Sequence, residues 1–133
     1  MKFLGIDYGT KRIGLAISDE GGTLAFPKEI ILNDSKLFDN IGQIVKEDNI
    51  SEIVIGESFN FSGQENLVAE KINVFISELE KRFELPAHRQ SEFLTSVEAR
   101  RYDNNGAKVD AEAAALILQR YLDRRSRQKE GIK

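Results

Sequence analysis

Lys2-Phe3-Leu4-Gly5-Ile6-Asp7-Tyr8-Gly9-Thr10-Lys11-Arg12-Ile13-Gly14-Leu15-Ala16-Ile17-Ser18 is the stretch that decides the fold. An apolar run that reads as a buried strand reaches a carboxylate at Asp7, turns at Gly9 and passes two cations. It then becomes a second run, Arg12 to Ser18, after a connection short enough for an antiparallel hairpin. A charge at the end of a buried strand is disfavoured unless it meets a cation, a hydrogen-bond donor or a metal. Asp7 is therefore the first candidate functional residue, and the rest of the chain can be searched for its partners.

Working outward, Asp19-Glu20-Gly21-Gly22 supplies turn chemistry, and Thr23 to Leu32 reads as a third strand. Pro27 lacks a backbone donor, which places this strand at a sheet edge or at a bulge. The period then changes. Leu37, Phe38, Ile41, Ile44 and Val45 recur at helical spacing behind the cap-like Asn33-Asp34-Ser35, with Asn49 as the stop. Ile53-Val54-Ile55 is a buried strand of the parallel type, ending at Gly56-Glu57-Ser58. Ser62 and Glu65 have capping-box spacing before the apolar stripe Leu67, Val68, Ile72, Phe75, Ile76, Leu79 and Phe83, which ends at Leu85-Pro86. A fifth, polar strand is expected within Ala87 to Phe93. Thr95 and Glu98 start a further helix that Asn104-Asn105-Gly106 breaks, and Asp110 precedes a strong helix through Leu122. The order, three strands and then alternating helix and strand, predicts an α/β fold: a five-stranded mixed sheet with helices on both faces.

The 133 residues fit one domain, 1–133, with the charged stretch from Asp123 to Lys133 expected to fray. The absence of cysteine excludes disulfides, thiolate nucleophiles and cysteine-ligated zinc. His88 is the sole histidine, which removes multi-histidine metal sites and reads best as a surface or strand residue. Asp7 interrupts the first apolar segment before it can act as a signal-peptide core, and Ala113 to Leu118 is far too short for a membrane span. A cytoplasmic protein with no membrane partner is the expectation. The net charge of -3 divides unevenly, with residues 1–98 carrying -7 and residues 99–133 carrying +4. The last part of the chain is where an acidic partner such as a phosphate backbone would bind.

In an α/β sheet, ligands gather at the carboxyl ends of the parallel strands. Asp7, Glu57 and Glu92 are all expected at that edge, and Asp110 could approach it from the start of the last helix. Such a set of hard oxygen donors suits Mg²⁺ or Mn²⁺, one ion or two, and a pair of ions is suited to phosphodiester hydrolysis. Three of the four acids also have a plain structural role to set against this: Asp110 is an ideal N-cap, for which capping alone is the simpler account, and Glu57 and Glu92 can be exposed residues leaving a sheet. Lys11, Arg12, Arg100, Arg101, Lys108, Arg120, Arg124, Arg125 and Arg127 are candidate nucleic-acid contacts. A solvated basic helix face accounts equally well for the last four.

Four segments carry a family resemblance: Ile6 to Asp19; Ile53-Val54-Ile55-Gly56; Glu92 with Leu94-Thr95-Ser96; and Val109-Asp110-Ala111 through Leu122. Together they resemble the motifs of the YqgF family, described as pre-16S rRNA nucleases and as Holliday-junction-resolvase-like proteins. The resemblance implies a ribonuclease-H-like sheet, with Asp7, Glu92 and Asp110 at the family's acidic positions. It also implies metal-dependent cleavage of phosphodiester bonds in maturing the 5′ end of 16S rRNA precursor, by a monomer or homodimer. Two departures stand out. Where the family has Asp-Glu-Arg this chain has Ser91-Glu92-Phe93, and where the family has Gly-Leu-Pro it has Gly56-Glu57-Ser58. The acid gained at Glu57 could compensate for the one lost at Ser91. Three other functions compete with RNA processing: resolution of branched DNA by the same acids, a nucleic-acid-binding module whose site has decayed, and a nucleotide binder using Asp7-Tyr8-Gly9-Thr10 as a phosphate loop. The last needs two related domains around a cleft, for which the chain is too short.

Overall fold

The computed structural model describes residues 1–58, 65–92 and 111–131, with side chains described at 1–56, 70–90 and 111–128. Strand β1 (Lys2–Tyr8) pairs antiparallel with β2 (Arg12–Ser18), which pairs antiparallel with β3 (Ala25–Leu32). On its other side β1 pairs parallel with β4 (Ile50–Ser58), and β4 pairs parallel with β5 (Ala87–Glu92). The resulting order, β3-β2-β1-β4-β5, is the expected five-stranded mixed sheet, and β1 sits at its centre.

Helices α1 (Leu37–Glu47) and α2 (Glu65–Phe83) belong to one face of the sheet, and α3 (Ala111–Gly131) covers the other. The pleat of β1 sorts its side chains between two cores. Leu4 and Ile6 join Ile13, Leu15, Ile53 and Ile55 beneath Ile41, Ile44, Ile72, Phe75 and Leu79. Phe3 instead joins Ala16 and Val54 beneath Ala114, Ile117, Leu118 and Leu122. Each aliphatic or aromatic side chain so buried contributes about 1.5–3 kcal/mol to stability, so both faces of this strand are anchored.

Several expectations are met with a physical reason attached. Pro27 lies on the edge strand, and the β2–β3 register slips between Leu15 and Ala16, opposite it. Asn49 takes φ +51° after α1, the left-handed conformation that terminates a helix. Other expectations are corrected. The third strand starts at Ala25 rather than Thr23, because Asp19 holds Thr23 and Leu24 in a loop by accepting from both backbone N–H groups. Residue Lys36 occupies the N-cap of α1 with no side-chain cap; Asp34 instead closes the preceding turn, its Oδ1 accepting from the Lys36 N–H at 3.0 Å. Strand β4 begins at Ile50 rather than Ile53 and ends, as expected, at Ser58. Residues 123–131 are helical and belong to α3. The Ser62 cap and the helix expected from Thr95 lie outside the described residues. Among those described, no helix is long and apolar enough to cross a membrane.

Candidate active site

Asp7 is fully buried, one residue from the end of the central strand. Its neighbours across the sheet are both glycines: Gly14 on β2 and Gly56 on β4. Residues in register share a face, so the row Gly14, Asp7, Gly56, Gln90 lies on the side covered by α3. Glycine in the interior of central strands sacrifices packing and marks close approach of another group. Beside Gly56 that group is Ile117, whose side chain would sit 2.6 Å from a Cβ added there.

The direction of α3 follows from three contacts. Tyr121 lies beside Phe3, with ring centroids 6.0 Å apart. Leu118 lies against Gly5, where an added Cβ would be 2.7 Å from the Leu118 Cβ and 3.0 Å from the Ala114 carbonyl oxygen. Two residues of strand advance about 6.6 Å and one helical turn about 5.4 Å, so stepping from Gly5 to Asp7 moves roughly one turn toward the start of α3. Its first turn, beginning at Ala111, therefore approaches Asp7. A helix N-terminus favours nearby negative charge, which suits a buried carboxylate.

Asp110 is the residue immediately before this turn; its own placement lies outside the described residues. Glu57 registers with Tyr8, and Glu92 registers with Ser58, two residues beyond Gly56. Strand alternation thus gives Glu92 a position on the face of Asp7 and Glu57 one on the face of Tyr8, whose ring packs on Phe75 of α2 with centroids 5.0 Å apart.

Among the basic candidates, Lys11 and Arg12 are exposed just beyond Asp7. The turn that carries them is tied down by Asn33: its Nδ2 donates to the Gly9 carbonyl at 3.0 Å and its backbone N–H to the Lys11 carbonyl at 3.0 Å. Arg120 is half-buried and Arg124 exposed on α3, about 14 and 20 Å along the helix from its start. They belong to a surface remote from Asp7. Arg100, Arg101 and Lys108 lie outside the described residues.

The glycine pair around Asp7 is not among the sequence expectations, although glycines that interrupt apolar, β-branched runs signal it. It also left His88 as a plain strand residue, whereas the structure joins its Nε2 to Glu52 Oε1 at 2.6 Å and stacks its ring on Tyr121 at 5.2 Å. Burial, reinforced by the Glu52 charge, pushes the Tyr121 phenol above its ordinary pKa. This cluster lies at the opposite end of the α3 face from Asp7.

The family model described as RuvX, Holliday junction resolvase, matches residues 1–124. The chain belongs to the RuvX family. RuvX is the YqgF family whose motifs this chain carries. A relative from Oenococcus oeni, named "Putative pre-16S rRNA nuclease", is 40% identical, over 98% of this chain and 100% of its own. Another with the same name, from Maridesulfovibrio salexigens, is 35% identical, over 93% of this chain and 99% of its own. Among solved structures, Thermus thermophilus RuvC in complex with a Holliday junction substrate superposes with a TM-score of 0.61 at 16% identity, covering 95% of this chain and 96% of that one. That likeness establishes the ribonuclease-H-like fold of this RuvX-family chain.

Proposed function

We propose that this RuvX-family chain is a divalent-metal-dependent nuclease that hydrolyses phosphodiester bonds in the cytoplasm, with the 5′ end of precursor 16S rRNA as its substrate. The observation that carries the site is the buried Asp7 at the carboxyl end of the central strand, set between two glycines with the first turn of α3 beside it. A fully buried carboxylate whose in-register neighbours on both strands are glycines fits the hard-oxygen ligand set of a divalent cation. Asp7, Glu92 and Asp110 would hold Mg²⁺ or Mn²⁺, which supplies neutralisation of phosphate charge and activation of water.

The residues of the chain do the rest. Asp7 is fixed by the strand pairs on both sides, and Lys11 and Arg12 draw the phosphate backbone toward it. Between the two glutamates, the register supports Glu92, because Glu57 has a position on the opposite face. Glu92→Gln should therefore abolish cleavage and Glu57→Gln should leave it within about threefold; the reverse result would restore Glu57 to the set.

A second reading, resolution of branched DNA, is favoured by the description of the family model and by the RuvC likeness in fold. Cleavage of precursor 16S RNA and of a four-way DNA junction, each with Mg²⁺ or Mn²⁺, separates the two. Asp7→Asn should lower the productive reaction by more than about 100-fold, as loss of a group that stabilises transition-state charge does. Cleavage that survives Asp7→Asn would refute the site.

A further inference from the structure

The edge strand β3 carries exposed apolar residues, and two of them lie on the candidate active-site face. Ile30 and Leu32 are 46% and 60% exposed. Ile30 is opposite Gly14, which is opposite Asp7, and Leu32 is opposite Arg12. Ile31 between them packs into the core on the other face, which fixes the alternation. Two strand spacings separate Ile30 from Asp7, roughly 10 Å. Asn33, next to Leu32, is bonded to Gly9 and Lys11, so the apolar pair is held in a fixed relation to the turn after Asp7.

From this juxtaposition we propose that Ile30 and Leu32 form an apolar wedge that receives an unstacked nucleobase of the substrate while Lys11 and Arg12 hold its phosphates. The proposal rests on the nuclease reading and adds to it a preference for unpaired or weakly stacked segments. Two exposed aliphatic side chains side by side on one face, next to two cations, offer an apolar surface flanked by phosphate-binding groups. Aliphatic side chains do insert between base steps when cations secure the flanking backbone. A distance of roughly 10 Å corresponds to about three stacked steps of 3.4 Å, which puts the wedge within a few nucleotides of the scissile phosphate. Two-fold pairing of a second copy through the same patch would set Lys11 and Arg12 against their own equivalents, a like-charge arrangement that opposes it.

The test compares Asp7→Asn with the same chain carrying Ile30→Ser and Leu32→Ser. Binding is measured by anisotropy to a single-stranded RNA of about 12 nucleotides, within the usual site sizes, and to a blunt duplex of the same sequence. The added substitutions should weaken single-strand binding about tenfold, roughly the loss of one good apolar contact, and change duplex binding by no more than about twofold. The slope of affinity against salt should not move, because no phosphate contact is lost. Ile30→Leu with Leu32→Met should restore binding, and a 2-aminopurine scanned along the strand should brighten at one position only when the wedge is intact. Equal weakening on both nucleic acids, no weakening at all, or a dimer that the serine substitutions dissociate would overturn the proposal. Failure of the wild-type chain to cleave either precursor RNA or a junction would instead count against the nuclease reading and leave the binding comparison to decide the wedge.

Discussion

Replacing Gly56 with alanine tests the seat of α3 beside Asp7. A Cβ at position 56 would lie 2.6 Å from Cγ2, 2.8 Å from Cδ1 and 2.9 Å from Cγ1 of Ile117. Ordinary carbon contacts begin near 3.5 Å, so the closest atom must retreat by about 0.9 Å. Ile117 is only 6% exposed and cannot turn away without disturbing the core around Val54 and Leu118. Overpacking of this kind costs about 1–3 kcal/mol. Ile117→Ala alone should cost about 2–5 kcal/mol through the cavity it leaves. All three crowded atoms vanish in that variant, so the double substitution should be less destabilised than the two single costs added, by about 1 kcal/mol or more. Urea unfolding of the four proteins, with equal m-values, measures the cycle. Cleavage should also fall in Gly56→Ala, because the start of α3 moves relative to Asp7. A Gly56→Ala chain as stable as wild type, or a cycle that closes additively, would refute the close approach.

Gln119 is a second fastener: its Oε1 accepts from the Ala25 N–H at 2.9 Å, and its Nε2 donates to the Thr23 carbonyl at 2.8 Å. Gln119→Ala should destabilise the chain by about 1–2 kcal/mol, since it removes two hydrogen bonds at the start of β3, one of them exposed to water, and hydrogen exchange should accelerate at Ala25 ahead of the core. Asp19 offers a pH-dependent case. The N–H groups of Thr23 and Leu24, with the Thr23 hydroxyl, hold its carboxyl below the usual carboxylate range. A depressed folded-state pKa contributes stability above the unfolded value, near 4, and that stability is lost as pH falls through the folded value. The melting-temperature gap between wild type and Asp19→Ala should therefore be constant from pH 5 to 7 and shrink below about pH 4; a gap independent of pH would contradict the assigned bonds. Asn33→Ala, which frees the Gly9 carbonyl, should lower cleavage severalfold while leaving the unfolding free energy within about 1 kcal/mol of wild type, a split read by comparing kcat with urea melts.

The sheet was legible because its signals are local and periodic. Arg12–Ser18 alternates between the two cores and emerges with its expected bounds, and Pro27 marks both the edge and the register slip. The burial of Asp7 near the end of the central strand was legible for the opposite reason, as the one charge in an apolar run. What escaped reading depends on pairing between distant segments. Nothing in Gly-Glu-Ser at 56–58 reveals whether Gly56 or Glu57 registers with Asp7, and a shift of one residue exchanges the faces. The same applies to His88 and Glu52, 36 residues apart, which are joined only by the β4–β5 register and the approach of Tyr121. The cap of α1 was misplaced because Asn33 and Asp34, both good capping residues, are committed elsewhere, one to Gly9 and the other to the turn at Lys36.

That division explains why the central strands tolerate so many glycines. Gly5 and Gly56 are demanded by the helix, since Leu118 and Ile117 occupy the space their side chains would fill. The same two contacts set the height at which α3 begins, and hence bring its first turn to Asp7. If Asp7 carries the proposed chemistry, packing and chemistry are coupled through α3. A substitution under Leu118, two residues from the carboxylate, should impair cleavage although it touches no substrate. The discriminating case is Gly5→Ala, where the Ala114 carbonyl lies 3.0 Å from the added Cβ. Backbone cannot rotate out of the way as a side chain can, so α3 must shift as a unit. Loss of activity in Gly5→Ala should therefore persist when Leu118 is also trimmed to alanine, whereas the Gly56→Ala defect should be relieved by Ile117→Ala.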